Sequence, residues 1–182
     1  MPDSGQNGVF LDYVIEQMAC DTGAELKRVG FRAVTAESCT GGLVSAALTS
    51  VPGSSEWFDR GFVTYSNEAK TEMLGVREDT LEIYGAVSEE TVREMCLGAL
   101  KNSRGDIAVS LSGIAGPGGG TPEKPVGTVW LAWAFRGKIL HTCLAHFPGN
   151  REIVRKYAVI KALSDIYIFC KGKRKSRGKT KK

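Results

Sequence analysis

Three segments place reactive or ligand-holding residue types where a predicted strand ends. They are Glu37-Ser38-Cys39-Thr40-Gly41-Gly42, Tyr65-Ser66-Asn67-Glu68-Ala69-Lys70 and the glycine-rich run Ser112 to Gly120. Open α/β sheets collect ligands outside the carboxyl ends of their strands, so three neighbouring strand ends would make one pocket. Ser38 stands at a strand-to-helix turn, ahead of the paired glycines Gly41 and Gly42. A serine there can attack a carbonyl, and backbone N–H groups over Thr40–Gly42 can hold the developing oxyanion. The alternative is that Ser38 or Thr40 only caps the following helix. Cys39 is a rival nucleophile in the same turn.

A serine nucleophile needs a base. Lys70 is a candidate because it lies in the first turn of a predicted helix, where the dipole disfavours positive charge, and burial would depress its pKa further. A solvated surface lysine is the other reading. Tyr65, just ahead, is either a core aromatic or a hydroxyl in the site. The two histidines, His141 and His146, fall five apart on one predicted strand and face opposite sides of the sheet. The third segment offers Ser112, Gly113 and Gly116 in a loop whose backbone amides can surround a phosphate or carboxylate, or which is simply a surface loop. It matches neither the P-loop nor the dinucleotide fingerprint. Arg151, at the start of the last predicted helix, has the fork geometry for a phosphate, with Arg155 one turn on as the alternative.

The elements that must position these residues follow from periodicity and caps. Residues 1–8 read as a flexible leader and 9–29 as a helix, weakened at Thr22-Gly23 and stopped at Gly30. Strands are expected over 32–37, 61–66, 106–112, 127–135 and 138–147, the last two joined by the tight Arg136-Gly137 turn. Helices are expected after Gly42, from an Asn67 cap, from a Ser88 cap with Val92, Met95, Cys96 and Ala99 on one stripe, and from an Asn150 cap. This order implies a single-domain, three-layer α/β/α sandwich with a mixed sheet: three mostly parallel strands, then an antiparallel hairpin.

Composition narrows the function classes. The chain has 182 residues, 24 basic against 20 acidic, for a net charge of +4. Eight of the basic residues and no acidic one fall in 171–182, so residues 1–170 carry 16 basic against 20 acidic. Residues 9–170 therefore read as a mildly acidic globular domain followed by a basic disordered tail. Nucleic-acid contact is confined to that tail and is non-specific, since the tail has no aromatic residue for base stacking. No apolar run is long enough to span a bilayer. No signal peptide is visible, and five scattered cysteines without a CxxC pair fit a reduced cytoplasmic protein with neither a disulfide framework nor a zinc site.

The strings AESCTGG (36–42), GSSEWFDRGFVTYSNEAKTEMLGV (53–76), GAVSEETV (85–92) and SLSGIAGPGGGTPEKPVGTVW (110–130) resemble the CinA C-terminal family, over roughly residues 9 to 169. Its stand-alone members are nicotinamide-nucleotide amidohydrolases. The resemblance implies a homodimeric hydrolase, without metal or other cofactor, that converts nicotinamide mononucleotide to nicotinate mononucleotide and ammonia. It also implies that Ser38 is the nucleophile and Lys70 the base, with Tyr65 and Arg151 completing the site. A pyridine-nucleotide-binding module without turnover is the alternative, distinguished by binding without ammonia release.

Overall fold

The computed structural model describes residues 4–173. Five strands, β1 (Ala33–Glu37), β2 (Phe58–Val63), β3 (Ile107–Gly113), β4 (Thr128–Phe135) and β5 (Lys138–His146), form one sheet in the order β2-β1-β3-β4-β5. β1 runs parallel to both β2 and β3, while β4 and β5 add antiparallel. Helices α1 (Ser4–Val29), α2 (Leu43–Thr49) and α6 (Arg151–Lys171) cover one face. Helices α3 (Asn67–Leu74), α4 (Glu78–Tyr84) and α5 (Glu89–Lys101) lie on the other side, so the expected three-layer sandwich with a mixed sheet is what forms.

Sheet order explains the position of the site. β1 has a parallel neighbour on each side, with Glu37 opposite Val63 of β2 and opposite Leu111 of β3. The three carboxyl ends are therefore level, and the chain leaves β1 for α2 on one face of the sheet but leaves β2 for α3 on the other, which opens a crevice at that point. Backbone bonds carry the pairing one residue further, from the Ser38 amide to the Leu111 carbonyl (3.0 Å) and from the Thr64 amide to the Glu37 carbonyl (2.8 Å). All five residues of β1 are buried, as a central strand covered on both faces requires.

Several boundaries differ from the sequence reading, each for a local reason. α1 begins at Ser4, so residues 4–8 of the expected leader are helical, and residues 1–3 lie outside the described region. α1 also runs unbroken through Gly23, because a Cβ there would stand 2.5 Å from the Trp57 ring: the glycine serves packing, not a break. β2 ends at Val63 rather than residue 66, since Ser66, not Asn67, caps α3 by accepting the Ala69 amide. The short helix α4 was not expected; no side chain caps it. Ser88 and Asn150 do cap α5 and α6, and the predicted stripe on α5 is buried. α6 extends through Lys171, the first residue of the expected tail; residues 174–182 lie outside the described region.

Candidate active site

β1 delivers Ser38 directly into the switch-point crevice, where it is 8% exposed. Gly41 and Gly42, at φ 59° and 96°, turn the chain into α2 through the left-handed region that favours glycine. Glu37 fixes this turn. Its fully buried carboxylate accepts five bonds: from the Thr40 hydroxyl (2.7 Å), the Gly42 and Val44 amides (3.0 Å each), and the Ser45 amide and hydroxyl (2.8 Å each). The amides of Gly41 and Gly42 are thus already spent, the first on the Ser38 carbonyl (3.0 Å). Of the amides expected over Thr40–Gly42, only that of Thr40 is left for an oxyanion. The Thr40 hydroxyl is likewise engaged by Glu37, and its side chain is fully buried. The amides of Cys39 and Thr40 donate to no other residue among those described.

α3 brings Lys70 to the same place. Its Nζ lies 3.2 Å from the Ser38 Oγ and is 1% exposed. The carbonyls of Thr64 (3.0 Å), Ser66 (3.3 Å) and Tyr65 (3.4 Å) surround it. Carbonyls only accept, so Ser38 is the single partner with a proton to give. Burial pushes the Lys70 pKa below the ordinary lysine value, and the nearby Cys39 and Glu68 pull it back only in part. Cys39 is buried too, and its thiol is pushed up to about 11, which disfavours the thiolate a rival nucleophile needs.

The rim is built by α6. Arg151 donates to the Tyr65 hydroxyl and to the Gly116 carbonyl (3.0 Å each), joining the ends of β2 and β3 to the last helix. Tyr65 is 61% exposed and is not a core aromatic. Arg155 donates from Nη2 to the Thr40 carbonyl (2.8 Å). Ala115, Pro117, Val126, Asn150, Arg151 and Arg155 line an open cleft of about 620 Å³; Ser38 and Lys70 are not part of its wall. Among the described residues only two buried side-chain polar atoms lack a partner, Arg155 Nε and Thr64 Oγ1, and both belong to residues at this site.

Other candidates stand apart. Ser112 is buried at the end of β3. Gly113 is explained by packing, because a Cβ there would meet the Thr128 carbonyl at 2.7 Å. His141 stacks on Trp133 (4.3 Å between ring centres) and meets Asp165 at 2.9 Å, while His146 meets the Thr128 hydroxyl at 3.3 Å. Neither reaches Ser38. Among the described residues, no group of three or more His, Cys, Asp or Glu side chains is arranged to hold a metal ion. Glu37 was not singled out in the sequence; the available signal was an acidic residue ending an otherwise apolar strand, directly before a serine and two glycines.

Fold and site together define a single-domain α/β/α protein whose polar centre, a buried serine against a buried lysine, sits at the switch point of a five-stranded mixed sheet. The chain belongs to the CinA C-terminal domain family, whose model matches residues 15–170. It is 54% identical over 157 residues to nicotinamide-nucleotide amidohydrolase PncC of Escherichia coli K12, covering 86% of this chain and 94% of that protein. The protein of the same name from Enterobacter agglomerans is 54% identical over 149 residues, covering 82% of this chain and 91% of its own. The solved structure of a competence/damage inducible protein from Agrobacterium tumefaciens superposes with a TM-score of 0.83 at 45% identity, covering 87% of this chain and 96% of that one.

Proposed function

We propose that this chain is a cytoplasmic nicotinamide-nucleotide amidohydrolase that deamidates nicotinamide mononucleotide through a serine–lysine acyl-enzyme. The observation carrying the mechanism is the 3.2 Å approach of Lys70 Nζ to Ser38 Oγ, with both residues buried. Identity to relatives named nicotinamide-nucleotide amidohydrolase supports the choice of substrate. Neutral Lys70 takes the Ser38 proton as the oxygen attacks the carboxamide carbon. The free amides of Cys39 and Thr40 receive the oxyanion, and Lys70 returns its proton to the departing ammonia. Water then hydrolyses the ester, releasing the carboxylate and restoring Ser38. The pyridinium ring withdraws electrons from the carboxamide and eases the attack. Ala115, Pro117, Arg151 and Arg155 face the cleft that would take the ribose phosphate. A homodimer without metal or other cofactor belongs to the same proposal; Val9, Phe10 and Tyr13 leave apolar surface exposed on α1 for such a contact.

Ammonia release from nicotinamide mononucleotide tests the reading. Ser38→Ala and Lys70→Ala are each expected to lower kcat by at least about 10³, and a chelator to change nothing. Near wild-type release by either variant would refute the mechanism, and binding without release by the wild type would favour a non-catalytic module. Loss of activity with the chelator would refute the metal-free claim.

A further inference from the structure

Glu37 has more to do than end a strand. A buried carboxylate is costly unless its oxygens are satisfied, and here all five donors are uncharged groups of one six-residue stretch, Thr40 to Ser45. No cation lies within ion-pair distance among the described residues. The carboxylate therefore binds the residues on the far side of the nucleophile to the strand on its near side, and Ser38-Cys39 spans the gap. Thr40 is fixed from both ends, its hydroxyl by Glu37 and its carbonyl by Arg155. The Gly42, Val44 and Ser45 amides are consumed, which leaves those of Cys39 and Thr40 as the unspent donors of the turn.

We infer that Glu37 is a positioning residue for the reaction: its carboxylate sets the turn so that the oxyanion is received at the Cys39 and Thr40 amides and nowhere along the start of α2. The inference rests on Ser38 being the nucleophile. Glu37 touches no reacting atom. It acts by holding the donors where charge develops, and such donors act in the transition state rather than in substrate binding.

The test compares Glu37→Gln with the wild type. The amide keeps the shape but, whichever way it turns, sets an N–H₂ against at least one backbone amide that can only donate. Expected are a native circular dichroism spectrum, KM within about threefold, and kcat lower by about 10²–10³, the size of one lost oxyanion donor. Labelling of Ser38 by a fluorophosphonate, whose phosphoryl oxygen would occupy the oxyanion position, should slow by a similar factor. A purely structural role would instead lower the folded fraction and leave kcat per folded molecule unchanged; that result, or wild-type kcat in the variant, overturns the inference. Should Glu37→Gln not fold, Thr40→Val removes one of the five bonds and leaves the charge. It is expected to lower kcat about tenfold with KM preserved, and unchanged kcat there overturns the inference equally. Ammonia release that survives Ser38→Ala would bring down the nucleophile assignment and this inference with it, so the variant that keeps activity tells the two failures apart.

Discussion

In the proposed mechanism Lys70 carries the pH dependence of the site. Its pKa is lowered from 10.5, chiefly because burial strips water from the ammonium. The base works only when neutral, so kcat/KM should rise with pH through an apparent pKa below the ordinary lysine range and then level off. The same shift has a stability signature. Between the lowered folded pKa and about 10.5 the unfolded chain binds more protons at this residue, so stability must rise with pH across that window. Below the folded pKa the full cost of burying the ammonium is present; above about 10.5 it is gone. Thermal melts of wild type and Lys70→Met should therefore draw closer in the wild type's favour as pH rises from 7 toward 10.5. A pH-independent difference would mean that Lys70 is not depressed. Ser38 and Cys39 show the complementary point, since adjacency in the chain did not give them equal chemistry. The serine faces the lysine, whereas the thiol is buried and held at about 11.

At the scale of elements, the lysine is only as well placed as α3, and α3 is placed by its contact with α5. Gly98 of α5 makes that contact: a Cβ there would stand 1.9 Å from the Leu74 carbonyl at the end of α3, a backbone atom that cannot move alone. Gly98→Ala must push the helices apart. We expect a loss of about 1–3 kcal/mol, visible as a fall in Tm, together with reduced kcat because Lys70 rides on the displaced helix. Unchanged Tm would refute the contact's role. Much of this framework was legible in the sequence, because Ser88 and Asn150 are strong caps and Val92, Met95, Cys96 and Ala99 keep one helical face. Ser38, Lys70, Tyr65 and Arg151 could likewise be selected from local chemistry. The sequence could not show what a residue donates to. The Thr40 hydroxyl and the Gly42 amide look free for a substrate until Glu37 is seen to take them, and Gly23 and Gly113 look like loop or site glycines until the atoms beside them are known. The glycine contacts are long-range packing facts with no short-range pattern, whereas the Glu37 bonds are local and depend on the conformation of the turn. Similarly, α4 has no capping side chain to announce it.

At the scale of the molecule, the net charge of +4 is a property of one end. Through Lys173 the chain holds 18 basic against 20 acidic residues, and the remaining nine positions hold six basic and no acidic ones. Many cations of the folded part are already paired, Arg28 with Glu25, Arg77 with Glu94 and Lys156 with Asp12 and Glu152 among them. No helix among the described residues is long and apolar enough to cross a membrane. Attraction to a polyanion should therefore reside in residues 174–182 and be separable from the site. The place to cut follows from the packing of α1 on α6. Arg28 donates to the carbonyls of Cys170 (2.8 Å) and Lys173 (3.2 Å), so truncation before Lys173 would remove part of a structural clasp. Truncation after Lys173 should leave Tm and ammonia release unchanged. It should abolish retention on duplex DNA, which in the full chain should weaken steeply with salt, with a log–log slope no steeper than about −5 for six cations. DNA binding that persists in the truncated chain, or a salt slope near zero in the full one, would place the contact on the acidic body and contradict the separation of the two functions.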